Sequence, residues 1–327
     1  MKTIRWGIIG CGNVTEVKSG PGFQKAEHSA LVAVMRRDGD LARDYAVRHQ
    51  VPRWYNQASD LINDPDVDAV YIATPPAFHH DYTLEAAKAG KPVYVEKPMA
   101  RNHQQCMKMI DGCAAAGVPL YVAYYRRALP RFLKIKALLD SRAIGDIRYM
   151  TVRYSQTCLK PATGSNGLPW RVQPDLSGGG LFLDVGSHTL DILDYLLGPI
   201  CEVKGTAANQ AKAYPAEDLV TAQFIFASGV QGTGVWCFSS FERQDVNEIV
   251  GSEGKIVFST FGDEPIVVIK ASETIEFPIA NPKHIQQPLI QTIVNELNGG
   301  PLCPSRGESG ARTSWVMEQC IRDYYGG

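Results

Sequence analysis

The chain has 327 residues, 45% of them hydrophobic and 20% charged, with a formal net charge of −1. That length exceeds one typical domain and predicts two. The even charge balance argues against nucleic acid or an anionic membrane surface as the main partner, and no apolar run approaches the ~18 residues of a membrane span.

The opening "MKTIRWGIIGCGNV" turns at Gly10, too soon for a secretory h-region, so a cytoplasmic protein is expected. The eight cysteines form no C-x-x-C pair. They predict buried or half-buried reduced thiols, with neither a disulfide framework nor a metal site.

Short apolar runs predict strands at Ile4–Ile9, Ala30–Met35, Ala69–Ala73, Val93–Glu96 and Leu120–Ala123. Helical patterns fall between them at Asp40–His49, Ala58–Ile62, His79–Ala89 and His103–Ala116. Gly90 and Gly117 sit where C′ residues end helices, and Asn102 is placed as an N-cap. Such alternation predicts a parallel sheet covered on both faces, an α/β domain over residues 1–123.

Beyond Ala123 the pattern changes. A helix at Pro130–Ser141 leads into "DIRYMTVRYSQ", a polar loop through Ser177, and an apolar helix from Leu181 to Leu197. From Glu202 to Phe277 strands follow one another with turn signals at Ser228-Gly229 and Glu253-Gly254, which predicts an antiparallel sheet. Two helices close the chain near Pro288–Asn298 and Glu308–Tyr324, completing an α+β domain over residues 124–327.

Gly10-Cys11-Gly12 follows the first strand directly. The first glycine permits a tight turn, and the second lets backbone approach a pyrophosphate as Asn13 and Val14 open the next helix. Thr15 stands where a third glycine is usual, and Gly20-Pro21-Gly22 keeps that helix short or interrupted.

The second strand ends "VAVMRRDGD", with Arg36 and Arg37 where a ribose-binding carboxylate is usual. Two guanidinium groups suit a 2′-phosphate. At roughly 1.5–3 kcal/mol per charge-assisted bond they imply a preference on the order of 10²–10⁴ for NADP over NAD; a solvated basic loop is the plainer alternative. In "YIATPPAFHHDY", Thr74, Pro75 and Pro76 form a lip at the carboxyl end of the sheet, faced by His79, with His80 toward solvent.

The stretch "KPVYVEKPMARN" ends a buried strand on Glu96-Lys97-Pro98. A rim ion pair with a strand-stopping proline explains it structurally. Delivery of Lys97 to the mouth of a pocket explains it functionally, with Glu96 pairing a basic neighbour or holding the ribose side. In "SGGGLFLDVGSHTLDILDYLLG", Gly178, Gly179 and Gly180 allow close approach of backbone or ligand. Asp184 and His188, four apart, then share a helix face with Asp191. A satisfied core histidine is the alternative.

Together these three motifs resemble the glucose-fructose oxidoreductase / inositol dehydrogenase / MocA family (Gfo/Idh/MocA) over nearly the whole chain. The resemblance implies an N-terminal Rossmann domain plus an α+β C-terminal domain whose large open, mostly antiparallel sheet makes a homodimer or homotetramer. It implies NAD(P)-dependent oxidation of a sugar, polyol or cyclic diol. "VAVMRRDGD" resembles the NADP-using dihydrodiol and sugar dehydrogenases among its members. Lys97 matches the lysine touching substrate and nicotinamide ribose, His188 the proton-transferring histidine, and Asp184 an acid lining the substrate site. The Lys97–Pro98 bond is expected to be cis. Tyr125 and Arg126 are placed at the substrate with Tyr154; members often carry Asn or His near Tyr125, so this element departs from the common pattern. Trp170 is expected to cap the pocket and Arg171 to reach cofactor or substrate. An NAD-dependent glycosidase of the same fold and a non-catalytic dinucleotide sensor are the alternatives.

Overall fold

The computed structural model describes residues 1–158 and 167–326, so part of the polar loop before Ser177 lies outside the described residues. The chain divides into two compact units, Met1–Leu129 with Pro282–Ala311, and Pro130–Asn281 with Arg312–Gly327.

The first unit begins with β1 (Ile4–Ile9), α1 (Asn13–Val17), α2 (Gly20–Lys25), β2 (Ser29–Met35), α3 (Gly39–Arg48), β3 (Arg53–Tyr55) and α4 (Ala58–Ile62). It continues with β4 (Ala69–Ile72), α5 (His79–Lys88), β5 (Val93–Val95), α6 (His103–Ala115) and β6 (Leu120–Val122). Its six strands are parallel in the order β3-β2-β1-β4-β5-β6. β4, β5 and β6 are buried throughout, as strands covered on both faces must be, and their residues are accordingly almost all apolar. Asn102 caps α6 by accepting from the Gln105 N–H at 2.9 Å, and Gly90 and Gly117 take φ of +72° and +67° after their helices.

Two features differ from the sequence expectation. The three-residue edge strand β3 was not anticipated. Gly20-Pro21-Gly22 does interrupt the first helix, as expected, but these residues also open a second helix, α2, that was not anticipated, with proline in the first turn where its missing N–H costs nothing. Phe23 then anchors α2, its ring packed 4.8 Å from Trp6 and 5.1 Å from Tyr71. Burying such a ring contributes about 1.5–3 kcal/mol.

The second unit contains α7 (Pro130–Asp140), β7 (Ile147–Thr157), α8 (Pro174–Ser177), a π-helical turn at Phe182–Gly186 and α9 (Ser187–Leu197). Then come β8 (Ile200–Ala208), β9 (Leu219–Phe226), β10 (Gln231–Ser240), β11 (Gln244–Gly251), β12 (Gly254–Phe258), β13 (Ile266–Lys270) and β14 (Thr274–Phe277). They form one eight-stranded sheet in the order β14-β13-β12-β11-β7-β10-β9-β8. Only the β7–β10 pairing is parallel. Inward residues such as Met150, Phe224, Trp236 and Ile249 are buried while Tyr149, Gln223 and Val235 face out, the alternation of a sheet covered on one side.

The chain closes with α10 (Gln287–Leu297) and α11 (Gly307–Tyr325). Residues 282–311, which the sequence reading gave to the second domain, pack with the first unit. Ile290 lies so close to Gly22 that a Cβ there would be 2.9 Å away, and the Ser305 hydroxyl donates to the Val122 carbonyl at 2.7 Å. Among the described residues no helix is long and apolar enough to cross a membrane, and no histidine, cysteine and carboxylate cluster could hold a metal. Cys11, Cys106, Cys113, Cys303 and Cys320 are buried as expected and Cys158 and Cys237 half-buried, whereas Cys201 is exposed because it sits on β8 with its side chain outward.

Candidate active site

In the first unit the site is built at the carboxyl ends of the strands. Gly10 turns with φ +89°, and its N–H and that of Cys11 both donate to the Met35 carbonyl, at 2.9 and 3.2 Å. A Cβ at Gly10 would lie 2.8 Å from Thr74 Cγ2, so only glycine fits. Gly12 is extended and begins α1 with no side-chain cap, and a Cβ there would meet nothing closer than 3.9 Å. The space before Asn13 and Val14 is therefore open, and these residues fit the pyrophosphate of a dinucleotide.

Thr15, in the third position, is buried; its hydroxyl donates to the Gly12 carbonyl at 2.8 Å and its carbonyl accepts from Tyr45 at 2.9 Å. Close packing is supplied instead by Gly20, where a Cβ would be 2.3 Å from the Thr15 carbonyl. Arg36 and Arg37 are exposed beyond β2, Arg36 reaching the Cys11 carbonyl at 3.4 Å. The Asp38 carboxylate accepts from the Asp40 and Leu41 N–H groups as the N-cap of α3.

Thr74 and Pro75 are half-buried and Pro76 buried, a lip between β4 and α5. His79 turns its ring onto the Thr74 end of this lip. The ring is fully buried, Nδ1 lying 3.0 and 3.2 Å from the Pro98 and Met99 carbonyls and Nε2 2.7 Å from that of Thr74. It clamps the lip to the segment after β5, and burial lowers its pKa. His80 is half-buried, with Nδ1 2.6 Å from the Asp81 carboxylate.

Glu96 also departs from expectation. Its carboxylate turns inward, accepting from Tyr71 at 2.6 Å, from Gln286 at 2.7 Å and from the Lys97 N–H at 3.0 Å. Gln286 in turn accepts from Tyr94 at 3.0 Å. Burial together with the Glu96 charge holds both phenols well above the usual tyrosine pKa. Neutral donors thus satisfy the buried carboxylate. Lys97 is half-buried, and its bond to Pro98 is cis as expected. β5 and β6 are neighbours with Val95 opposite Val122, which brings the residues after them, Lys97 and Tyr125, to one edge. Tyr125 and Arg126 are buried in a 3-10 turn, the Arg126 guanidinium 5.0 Å from the Tyr125 ring. Burial would raise the pKa of the Tyr125 phenol, yet the charges of Arg126, Lys18 and Lys97 bring it below the ordinary value.

In the second unit His188 is buried, its ring 5.7 Å from that of Phe261, which also packs 5.5 Å from Tyr154. Phe261 gathers two predicted residues and was not itself foreseen, since a lone aromatic between strands carries no local signal. Tyr154 donates to Gln156 at 2.9 Å. Asp184 lies in the π-helical turn and not in the α-helix that holds His188, so their four-residue spacing does not measure a regular α-turn. Asp184 pairs with Arg171 at 2.9 Å, and the guanidinium lies 4.5 Å from the Trp170 ring. Arg171 thus engages the carboxylate that the sequence predicts to line the substrate site. Asp191 accepts from Thr313 at 3.4 Å, and Asp194 takes Arg312 in two bonds of 2.8 Å.

The three glycines serve the protein itself. Gly178 ends α8 with φ +87°, a Cβ at Gly179 would be 2.7 Å from Leu183, and one at Gly180 2.5 Å from the Glu217 carbonyl. The buried Glu217 carboxylate accepts from the Gly180 N–H at 2.8 Å and from Tyr325 at 2.6 Å. Burial raises its pKa against those bonds.

Comparison with known proteins agrees with this architecture. Residues 4–124 match the oxidoreductase family with NAD-binding Rossmann fold, and residues 132–257 match the GFO/IDH/MocA C-terminal domain. Oxidoreductase P35 of Formosa agariphila is 39% identical over 96% of this chain and 97% of its own. The trans-1,2-dihydrobenzene-1,2-diol dehydrogenase of Bos taurus is 26% identical over 84% of this chain and 80% of its own. The aldose-aldose oxidoreductase of Caulobacter crescentus, solved in complex with glycerol, superposes with a TM-score of 0.87 at 25% identity, covering 100% of this chain and 98% of that one. With both domain matches in order and a relative aligned from end to end, the chain belongs to the GFO/IDH/MocA oxidoreductase family.

Proposed function

We propose that this oxidoreductase moves a hydride reversibly between NADP(H) and a secondary alcohol or carbonyl carbon of a sugar, polyol or related cyclic diol. The observation that carries the reading is Lys97: half-buried at the carboxyl end of β5, acting electrostatically on the phenol of Tyr125 together with Arg126. Relatives named as dihydrodiol dehydrogenases support a diol-like substrate. Arg36 and Arg37 beside the glycine turn, with Asp38 committed to capping α3, favour NADP over NAD.

The nicotinamide, when bound, accepts or returns the hydride. Lys97 donates a hydrogen bond to the reacting oxygen and stabilises its alkoxide character. His188 takes the proton as general base and returns it in reduction. Asp184, oriented by Arg171, holds substrate hydroxyls, and Tyr125, Arg126 and Tyr154 complete the substrate contacts. Self-association through the outward face of the second unit's sheet is supported by its exposed apolar residues, Tyr149 at 48% and Val235 at 41%.

A panel of aldoses, polyols and trans-dihydrodiols, followed by nicotinamide absorbance with each coenzyme, tests this. NADP-linked turnover is expected, and Lys97→Met should lower kcat on the order of 10²–10³-fold with coenzyme affinity largely kept. Coenzyme binding without turnover on any substrate would point to a sensor, and glycoside cleavage without net coenzyme reduction to a glycosidase.

A further inference from the structure

Each of the three side chains that follow β2 has a partner. Arg36 reaches the Cys11 carbonyl, and Asp38 accepts from two N–H groups at the start of α3, both at 3.1 Å. The guanidinium of Arg37 lies over the ring of Phe78, 5.5 Å from its centroid. Phe78 belongs to the lip, in the 3-10 turn Pro76–Phe78, with its N–H donating to the Pro75 carbonyl at 3.0 Å. The next residue is the buried His79 clamp, so the ring is carried on a firmly held backbone.

In the sheet, β2 and β4 lie on either side of β1. A contact between a residue just beyond β2 and one in the turn after β4 therefore crosses the carboxyl end of β1, where the Gly10–Gly12 turn lies. The Arg37–Phe78 stack spans the mouth of the nucleotide crevice. An exposed arginine samples many rotamers, and gripping a phosphate with both prongs of its planar fork requires one orientation. An aromatic face restricts that plane before the ligand arrives.

We propose that Phe78 is a positioning residue for coenzyme choice, its ring holding the Arg37 guanidinium in the plane that receives the 2′-phosphate of NADP(H). The inference rests on the NADP reading above and deepens it: discrimination depends on an aromatic residue more than 40 positions away in sequence, on a different loop from the arginines. The Asp38 cap already pairs the Asp40 and Leu41 N–H groups at the start of α3, and the charged donors beside it in sequence are the guanidinium groups of Arg36 and Arg37.

An exposed cation–π contact of about 0.5–1 kcal/mol corresponds to about a 2–5-fold change in affinity. Titration calorimetry on the full chain, with NADP⁺, NAD⁺ and adenosine 2′,5′-bisphosphate, reads it without turnover. Phe78→Leu is expected to weaken NADP⁺ and the bisphosphate about 2–5-fold and leave NAD⁺ unchanged. Phe78→Trp, with a stronger aromatic face, should keep or raise the NADP⁺ to NAD⁺ ratio, and it carries the test if the leucine variant does not fold. In an Arg37→Ala background, Phe78→Leu should add nothing.

Equal losses for both coenzymes would reduce Phe78 to a support of the lip and overturn the inference, as would a Phe78→Leu effect that persists without Arg37 or a ratio that falls in Phe78→Trp. Arg37→Ala without effect on NADP⁺ affinity would overturn the NADP reading itself. An effective Arg37→Ala beside a silent Phe78→Leu would leave that reading standing and remove only the role of Phe78.

Discussion

The two glycine stretches look alike in sequence and do opposite things. In the first unit Gly10 makes a turn that only glycine can make, and Gly12 faces open space ahead of α1. In the second unit Gly178 ends a helix, Gly179 faces Leu183, and Gly180 lets the chain pass against the buried Glu217. The first stretch leaves room for something the chain does not supply. In the second, the protein fills its own room. A missing side chain thus marks a ligand site only where no protein atom lies within the reach of a Cβ.

Adding one methyl group at each place separates the two uses most strongly. At Gly180 a Cβ would be 2.5 Å from backbone that has no room to retreat, and overpacking of that kind costs about 1–3 kcal/mol. Gly180→Ala should lower Tm by about 2–4 °C for each kcal/mol lost, read by thermal melting. Gly12→Ala should leave Tm nearly unchanged, within about 0.5 kcal/mol, and weaken coenzyme binding on the order of tenfold. The reverse pattern, a stable Gly180→Ala beside an unfolded Gly12→Ala, would break the distinction.

The same contrast explains what could be read from sequence. The glycine turn, the two arginines and Lys97 were legible because each is a local device: a strand end, a turn and a charge within a few residues. β3 was missed since three residues at a sheet edge carry no periodicity. The division of the chain was misplaced because residues 282–311 are tied to the first unit by Gln286 on Glu96 and Ile290 on Gly22, partners roughly 190 and 270 positions away. Sequence distance hides such bonds. The inward turn of Glu96 depends on the same long-range contact with Gln286. The π-helical turn at Phe182–Gly186 was also hidden, because an apolar run reads the same whichever helical period it adopts.

The glycine–carboxylate lock of the second unit also predicts a pH dependence. Burial raises the pKa of Glu217 in the folded chain, so over the range above the ordinary glutamate value of about 4.3 the folded state holds a proton that the unfolded state has lost. Its contribution to stability is complete below that value and is lost as pH rises through the folded pKa. Glu217→Gln keeps the shape and abolishes the titration. The stability difference between wild type and variant, from urea melts at pH 5 and pH 8, should therefore shift against the wild type at the higher pH. A difference independent of pH would mean that Tyr325 and the Gly180 N–H fully offset the burial of the charge.

The smallest effect belongs to the open side of the comparison. Glu16 lies on α1, just beyond Gly12, and pairs with Arg48 at 2.8 Å and His49 at 2.7 Å. The Arg48 guanidinium, opposed by partial burial and aided by His49, holds its pKa at about 2. A depressed carboxylate pKa stabilises the fold above the unfolded value near 4.3, and that contribution is lost as pH falls toward about 2. With the carboxylate side chain 33% exposed, solvent and salt screen the pair, and Glu16→Gln should cost no more than about 1 kcal/mol at neutral pH. That cost should shrink in high salt and disappear in acid. A larger, salt-independent loss, matched by weaker coenzyme binding, would show that α1 needs this surface network to hold the glycine turn in place. In that case the open side of the molecule would be as tightly locked as the closed one.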